Sequence, residues 1–143
     1  MEVLAAASSV FAVVSLALQL ADNVQRLVGF WDSVKDAPSE ITEIRSELRV
    51  LGVLLKRIEI DAQHAASDDG DILEHECLVI CKGSVAKLEK LSRELNHELS
   101  RNGIRRKWSC LRKALQEKKL TSYWSELERA KSTLIMYQYL RNG

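Results

Sequence analysis

Apolar residues return along this chain every three or four positions, the period of a helix with one buried stripe. The clearest run is Ile41, Ile44, Leu48, Leu51, Leu55 and Ile58, a seam that packs on a partner helix at a shallow angle. Pro38 suits the first turn of this helix, and Glu40 and Glu43 complement the positive end of its dipole. A later helix is predicted to bury Leu78, Cys81, Val85, Leu88, Leu91, Leu95 and Leu99. The Asp71 to Glu74 stretch resembles a capping box at its start, and Asn102-Gly103 is a left-handed stop at its end. The last helix has Trp124, Leu127, Leu134, Tyr137 and Leu140 on one face, with Thr121 or Ser122 as its cap. A short basic segment holding Trp108, Leu111 and Leu115 precedes it. The Ile41 to Ile58 seam is expected to be buried against the first and third helices.

The N-terminal pattern differs. Between Val3 and Ala21 there is no charged residue, and the stretch is apolar on every face. As a helix it reaches roughly 28 Å, close to the thickness of a bilayer's hydrocarbon core. Its Ser8, Ser9, Ser15, Gln19 and many alanines make it a weak span, and the same character suits a buried helix of a soluble bundle. A secretory signal is disfavoured: Met1-Glu2 is negative where a positive region belongs, and the first basic residue is Arg26. Past Ala21 the pattern turns amphipathic, with Val24, Leu27, Val28 and Trp31 inward and Asp22, Arg26 and Asp32 outward. A helix apolar all round cannot stand in water, so Val10, Val14 and Leu18 are expected inside the bundle of a soluble monomer.

At 143 residues the chain is one domain, and with one proline, six glycines and no alternating runs it has no place for strands. The expected fold is all-α: an up-and-down four-helix bundle with an accessory basic helix. Lys plus Arg (21) nearly cancel Asp plus Glu (20), but the distribution is lopsided. Asp36 to Glu76 holds eleven acidic and four basic residues, and Arg101 to Lys119 holds eight basic and one acidic. Cys77 and Cys81 sit four apart, which suits reduced thiols buried as small hydrophobes. His75 falls on a nearly opposite helix face, so no metal site is read there. Asp68 to Asp71 is too short for a calcium loop. No phosphate loop, dinucleotide fingerprint, zinc-protease motif or nucleophile elbow occurs, and His64, His75 and His97 are scattered. No catalytic residue, metal or cofactor is predicted.

The uncharged Met-initiated helix, Asp36-Ala37-Pro38 opening an Ile/Leu seam, the Lys107-Trp108 pair and the run from Leu127 to Leu134 together resemble the fungal N-terminal domains of STAND-type immune receptors, of the HeLo-like kind. The likeness covers Met1 to about Leu140, rests on residue classes, and is shared by the related SesA domain. It implies the N-terminal domain of a longer protein, a cell-death effector resting in the cytoplasm and acting at the plasma membrane after self-association. Carried over by position, the inserting element is Val3 to Ala21 behind the acidic tip Glu2, with Val3, Leu4, Val10, Phe11, Val14 and Leu18 meeting lipid. Ala5 with Ser9 and Ser8 with Ala12 are small pairs at four-residue spacing, which let helices approach closely in lipid. Arg105, Arg106, Lys107, Arg112, Lys113, Lys118 and Lys119 can add up to about 1 kcal/mol each near an anionic leaflet, and Trp108 is an interfacial residue by type.

The expected partners are therefore other copies of the chain and anionic lipid. The main alternative is an adaptor that binds other helical-bundle domains and has no membrane activity. Nucleic acid is not an expected partner, because basic residues shared among several helix faces make a solvated surface more often than a groove reader.

Overall fold

A computed structural model of the chain describes residues 2–34, 37–64, 71–101 and 117–142, with side chains described over 11–34, 37–64, 75–97 and 118–139. These residues form an all-α bundle of α1 (Glu2–Asp32), α2 (Ser39–His64), α3 (Asp71–Arg101) and α4 (Glu117–Asn142). The accessory basic helix, with Arg105, Arg106, Lys107, Trp108, Arg112 and Lys113, lies outside the described residues.

The first connection is short and well capped. Ser33 closes α1 by donating its amide to Gly29 and Phe30 and its hydroxyl to the Phe30 carbonyl, and Val34 tucks under the end of the helix. The Pro38 carbonyl then accepts from Thr42, the first i to i−4 bond of α2, so Pro38 sits one position outside the first turn predicted for it. Asp32 reaches across to Arg49 at 2.9 Å, and Val24 lies against Gly52, which makes α1 and α2 antiparallel. Lys87 meets Glu126 and Ser92 meets Tyr123, so α3 and α4 are antiparallel too. A cleft lined by Arg26, Leu27 and Phe30 of α1 and by Glu89, Ser92, Arg93 and Asn96 of α3 sets the C-terminal halves of these helices side by side, so they run the same way.

The order around the bundle is α1, α2, α4, α3. The chain runs alternately up and down, but α1 faces α4 across one diagonal and α2 faces α3 across the other. All six seam residues of α2, with Ala62, are fully or almost fully buried. Their neighbouring helices are α1 and α4, in place of the α1 and α3 expected. Periodicity identifies the buried face of a helix; it does not identify what covers that face.

Most of the inward α3 residues are buried as expected, Leu91 is half-buried, and the side chain of Leu99 lies outside the described residues. The two thiols, Cys77 and Cys81, are buried, and desolvation pushes Cys81 up to about 12. The last helix departs from expectation at its start. It is already helical from Glu117, the first residue described in this stretch, and Glu-Lys-Lys-Leu is as helix-prone as the residues after it, so Thr121 and Ser122 lie within the helix instead of capping it. Its buried face is Tyr123, Leu127, Ala130, Leu134 and Tyr137, and Trp124 only leans against the core.

Candidate functional site

The helix directions place the N-terminal halves of α1 and α3 at the same end of the bundle as the C-terminal halves of α2 and α4. Exposed large apolar side chains collect in that half. Phe11 is 74% exposed and Leu18 is 40% exposed on α1. Ile60 near the end of α2 and Val79 and Ile80 on α3 are exposed as well. On α4, Ile135, Met136 and Tyr139 stand in solvent, Tyr139 at 77% exposure. Of the described large apolar residues that are exposed, Leu18, Val50 and Val53 lie near the middles of their helices.

This corrects one expectation. Leu18 and Phe11 are not protected inside the bundle, and Val14 is only half-buried. The inward stripe of α1 is Val13, Ala17, Leu20, Ala21 and Val24. Gly52 of α2 sits opposite Val24 of this stripe, and Phe11 and Leu18 are turned out. No charged residue marks a polar side in this stretch, and packing alone sets the orientation of the helix. Glu2, Val3, Leu4 and Val10 belong to α1 by backbone, but their side chains lie outside the described residues. Among the described residues no helix is long and apolar enough to cross a membrane.

The opposite end is fastened by polar contacts. Trp31 donates its indole N–H to the Tyr123 hydroxyl at 2.7 Å, and that hydroxyl lies 3.5 Å from Ser92 Oγ. The Trp31 and Tyr123 rings meet edge to face at 5.3 Å, and both side chains are fully buried. Burial raises the Tyr123 phenol to about 12, against the lowering effect of its two hydrogen bonds. Over this core, Lys131 bridges Glu47 of α2 at 2.8 Å and Glu128 at 3.2 Å, and the hydrogen bond to Glu47 is the first reason its ammonium holds its proton more tightly than usual. Sequence reasoning missed Tyr123 because its neighbour Trp124 fits the same apolar face. A tyrosine just past a plausible helix cap carries no signal of its own.

Lys118 is exposed and Lys119 half-buried at the start of α4. They therefore lie at the fastened end, a bundle's length from Phe11. The described parts of the two predicted lipid-contacting elements are at opposite ends of the molecule and are not brought together.

A third feature is an open groove of about 890 Å³ between the outer faces of α1 and α2. Its floor is Ala21, Val24, Val28, Leu48 and Gly52, and Val53 and Ile60 rise on the α2 side. Asp22 and Asp32 edge it on α1, and Arg49, Lys56, Arg57 and Asp61 edge it on α2. Among the described residues no group of histidine, cysteine or carboxylate side chains converges to hold a metal ion. Compared with family models, curated proteins and solved structures, the chain matches none.

Proposed function

We propose that this chain is a membrane-directed helical effector of the HeLo-like kind, which meets lipid with the end of the bundle at which α1 begins. The observation that carries this reading is the concentration of exposed apolar side chains there, led by Phe11 and Tyr139. Phe11 and Leu18 belong to the uncharged Val3 to Ala21 run itself. Exposed apolar patches of this kind mark interaction surfaces, and aromatic residues with one apolar body and one polar tip sit well at a lipid interface. A bundle resting on a leaflet by this end buries Phe11 and Tyr139 without unfolding, and insertion of α1 itself is a second step that clustering must favour. A ligand or partner shifts such an equilibrium only by its preference for one state, so assembly of several copies has to stabilise the extruded helix by several kcal/mol.

The basic segment has to fit that geometry. Since Lys118 and Lys119 lie at the far end, these two lysines reach the same leaflet as Phe11 only when the bundle lies along it or α1 has swung out. Reversing charge at Arg105, Arg106 and Lys107 is expected to weaken sedimentation with anionic vesicles, with helicity and melting nearly unchanged. The adaptor reading is favoured by a different observation, the α1/α2 groove, which is apolar in floor and charged at both edges.

Leakage from anionic vesicles by artificially clustered protein separates the two. Deleting residues 1–7, or placing a charge at Leu4, Phe11 or Tyr139, is expected to abolish leakage and spare most of the fold. If the clustered parent leaves vesicles sealed, or the truncated form leaks as well as the parent, the effector reading falls and the adaptor reading stands.

A further inference from the structure

We propose that the outer face of α1 and α2 is a self-association surface, closed by a second copy of this chain about a two-fold axis parallel to the helices. The apolar part of the surface is already built. The floor is low at Gly52, where a Cβ would meet only Val24 at an ordinary 3.6 Å, and Val53 and Ile60 stand beside it at 67% and 53% exposure. On α1 the positions 11, 14, 18, 21, 25 and 28 follow helical spacing, so the stripe that borders the groove continues through Leu18 to Phe11.

Charge decides the occupant and its orientation. The α1 edge carries Asp22 and Asp32, and the α2 edge carries Arg49, Lys56 and Arg57, with Asp61 one turn beyond Arg57. Asp32 is already met by Arg45 and Arg49 and Lys56 by Glu59, whereas Asp22 and Arg57 form no ion pair among the described residues. A two-fold axis parallel to the helices lays each α1 on the partner's α2, acidic edge against basic edge, and keeps every residue at its own height. With Val24 opposite Gly52 setting the register, Asp22 stands within a turn of the level of Lys56 and Arg57. The other face-to-face symmetry, with the axis across the helices, sets α1 on α1, where the groove edge carries Asp22 and Asp32 and no basic residue to meet them. One surface that complements itself through a closed rotation is the ordinary form of a homodimer. Burial of Val53, Ile60 and Leu18 supplies affinity, and the Asp22 to Arg57 contacts select the register.

The inference rests on that part of the functional reading in which copies assemble, and it is tested without lipid so that the two fail separately. In sedimentation equilibrium the purified chain is expected to dimerise, and Val53→Glu with Ile60→Glu to raise the dissociation constant at least about tenfold with an unchanged melting curve, as both residues are exposed. Asp22→Arg and Arg57→Glu are each expected to weaken the dimer, and the double variant to regain the parental affinity. A parent that stays monomeric to about 1 mM overturns the proposal, as does a dimer indifferent to Val53 and Ile60. A double charge variant no tighter than the single ones overturns the stated arrangement. A parent that dimerises but leaves vesicles sealed even when artificially clustered sinks the effector reading and leaves this surface standing; a monomer that leaks them when clustered does the reverse.

Discussion

At the end where α1 stops, the aromatic side chains point inward and their polar atoms find one another: Trp31 with Tyr123, Tyr123 with Ser92. At the end where α1 starts, Phe11 and Tyr139 face water. Both ends belong to the same four helices and draw on the same residue types. The difference is that a hydrogen bond between buried groups needs defined geometry and so fixes three helices against each other, while an exposed phenyl ring fixes nothing. Stability is expected to reside at the first end and availability for contact at the second.

Trp31→Ala tests that division most severely. Removing this fully buried ring is expected to cost about 3–5 kcal/mol in denaturant unfolding, because the cavity cannot collapse against helices held on every side. Leu51→Ala, in the α2 seam, is expected to cost about 2–5 kcal/mol for the same reason. A change below about half a kcal/mol at either site would erase the contrast between the ends. Tyr123→Phe is subtler, since it preserves shape and leaves the Trp31 N–H buried without its acceptor, at about 1–3 kcal/mol.

Alkali acts at the fastened half and at the α3 core. Folding holds the Tyr123 and Cys81 protons above their ordinary values of 10.0 and 9.0, each up to about 12. The folded chain therefore keeps protons that the unfolded chain has released. The stability this represents is fully present below pH 9 and is lost as pH climbs from about 9 to about 12, by up to roughly 1.4 kcal/mol per pH unit per group. Chemical denaturation at several alkaline pH values measures the slope, and a flat profile to pH 11 would show that neither group is desolvated. The smallest effect belongs to the open end: Phe11→Ser or Tyr139→Ser is expected to shift stability by no more than about half a kcal/mol, although each should weaken binding to vesicles. A loss of several kcal/mol there would mean that the two ends share one core.

The α2 seam is legible in the sequence to the residue, because six large aliphatic side chains at strict helical spacing among charged ones allow only one inward face. The first two-thirds of α1 is not legible in this way. With no charge between Val3 and Ala21, the pattern has no polar side to orient it, and nothing in it marks Val13, Ala17, Leu20 and Ala21 for the interior over Phe11 and Leu18. The pairing of α2 with α4 is hidden for a related reason, since a seam carries no mark of its partner. Tyr123 escapes sequence reasoning because its role depends on Trp31, which is 92 residues away in sequence. The groove at Gly52 depends on two helices meeting, and one small residue in a helical run does not announce it.

Because each helix pairs first with its neighbour in the chain, the bundle is two hairpins laid side by side, α1 with α2 and α3 with α4. Contacts within a hairpin close short loops and form fast, whereas the joins between hairpins span long stretches of sequence. A chain leaving the ribosome can therefore complete the first hairpin while the second has yet to be synthesised. During that interval the flank of α2 that α4 will cover is bare. The nascent protein passes through a form with far more apolar surface than the finished one, at the moment when neighbouring chains on the same message are closest.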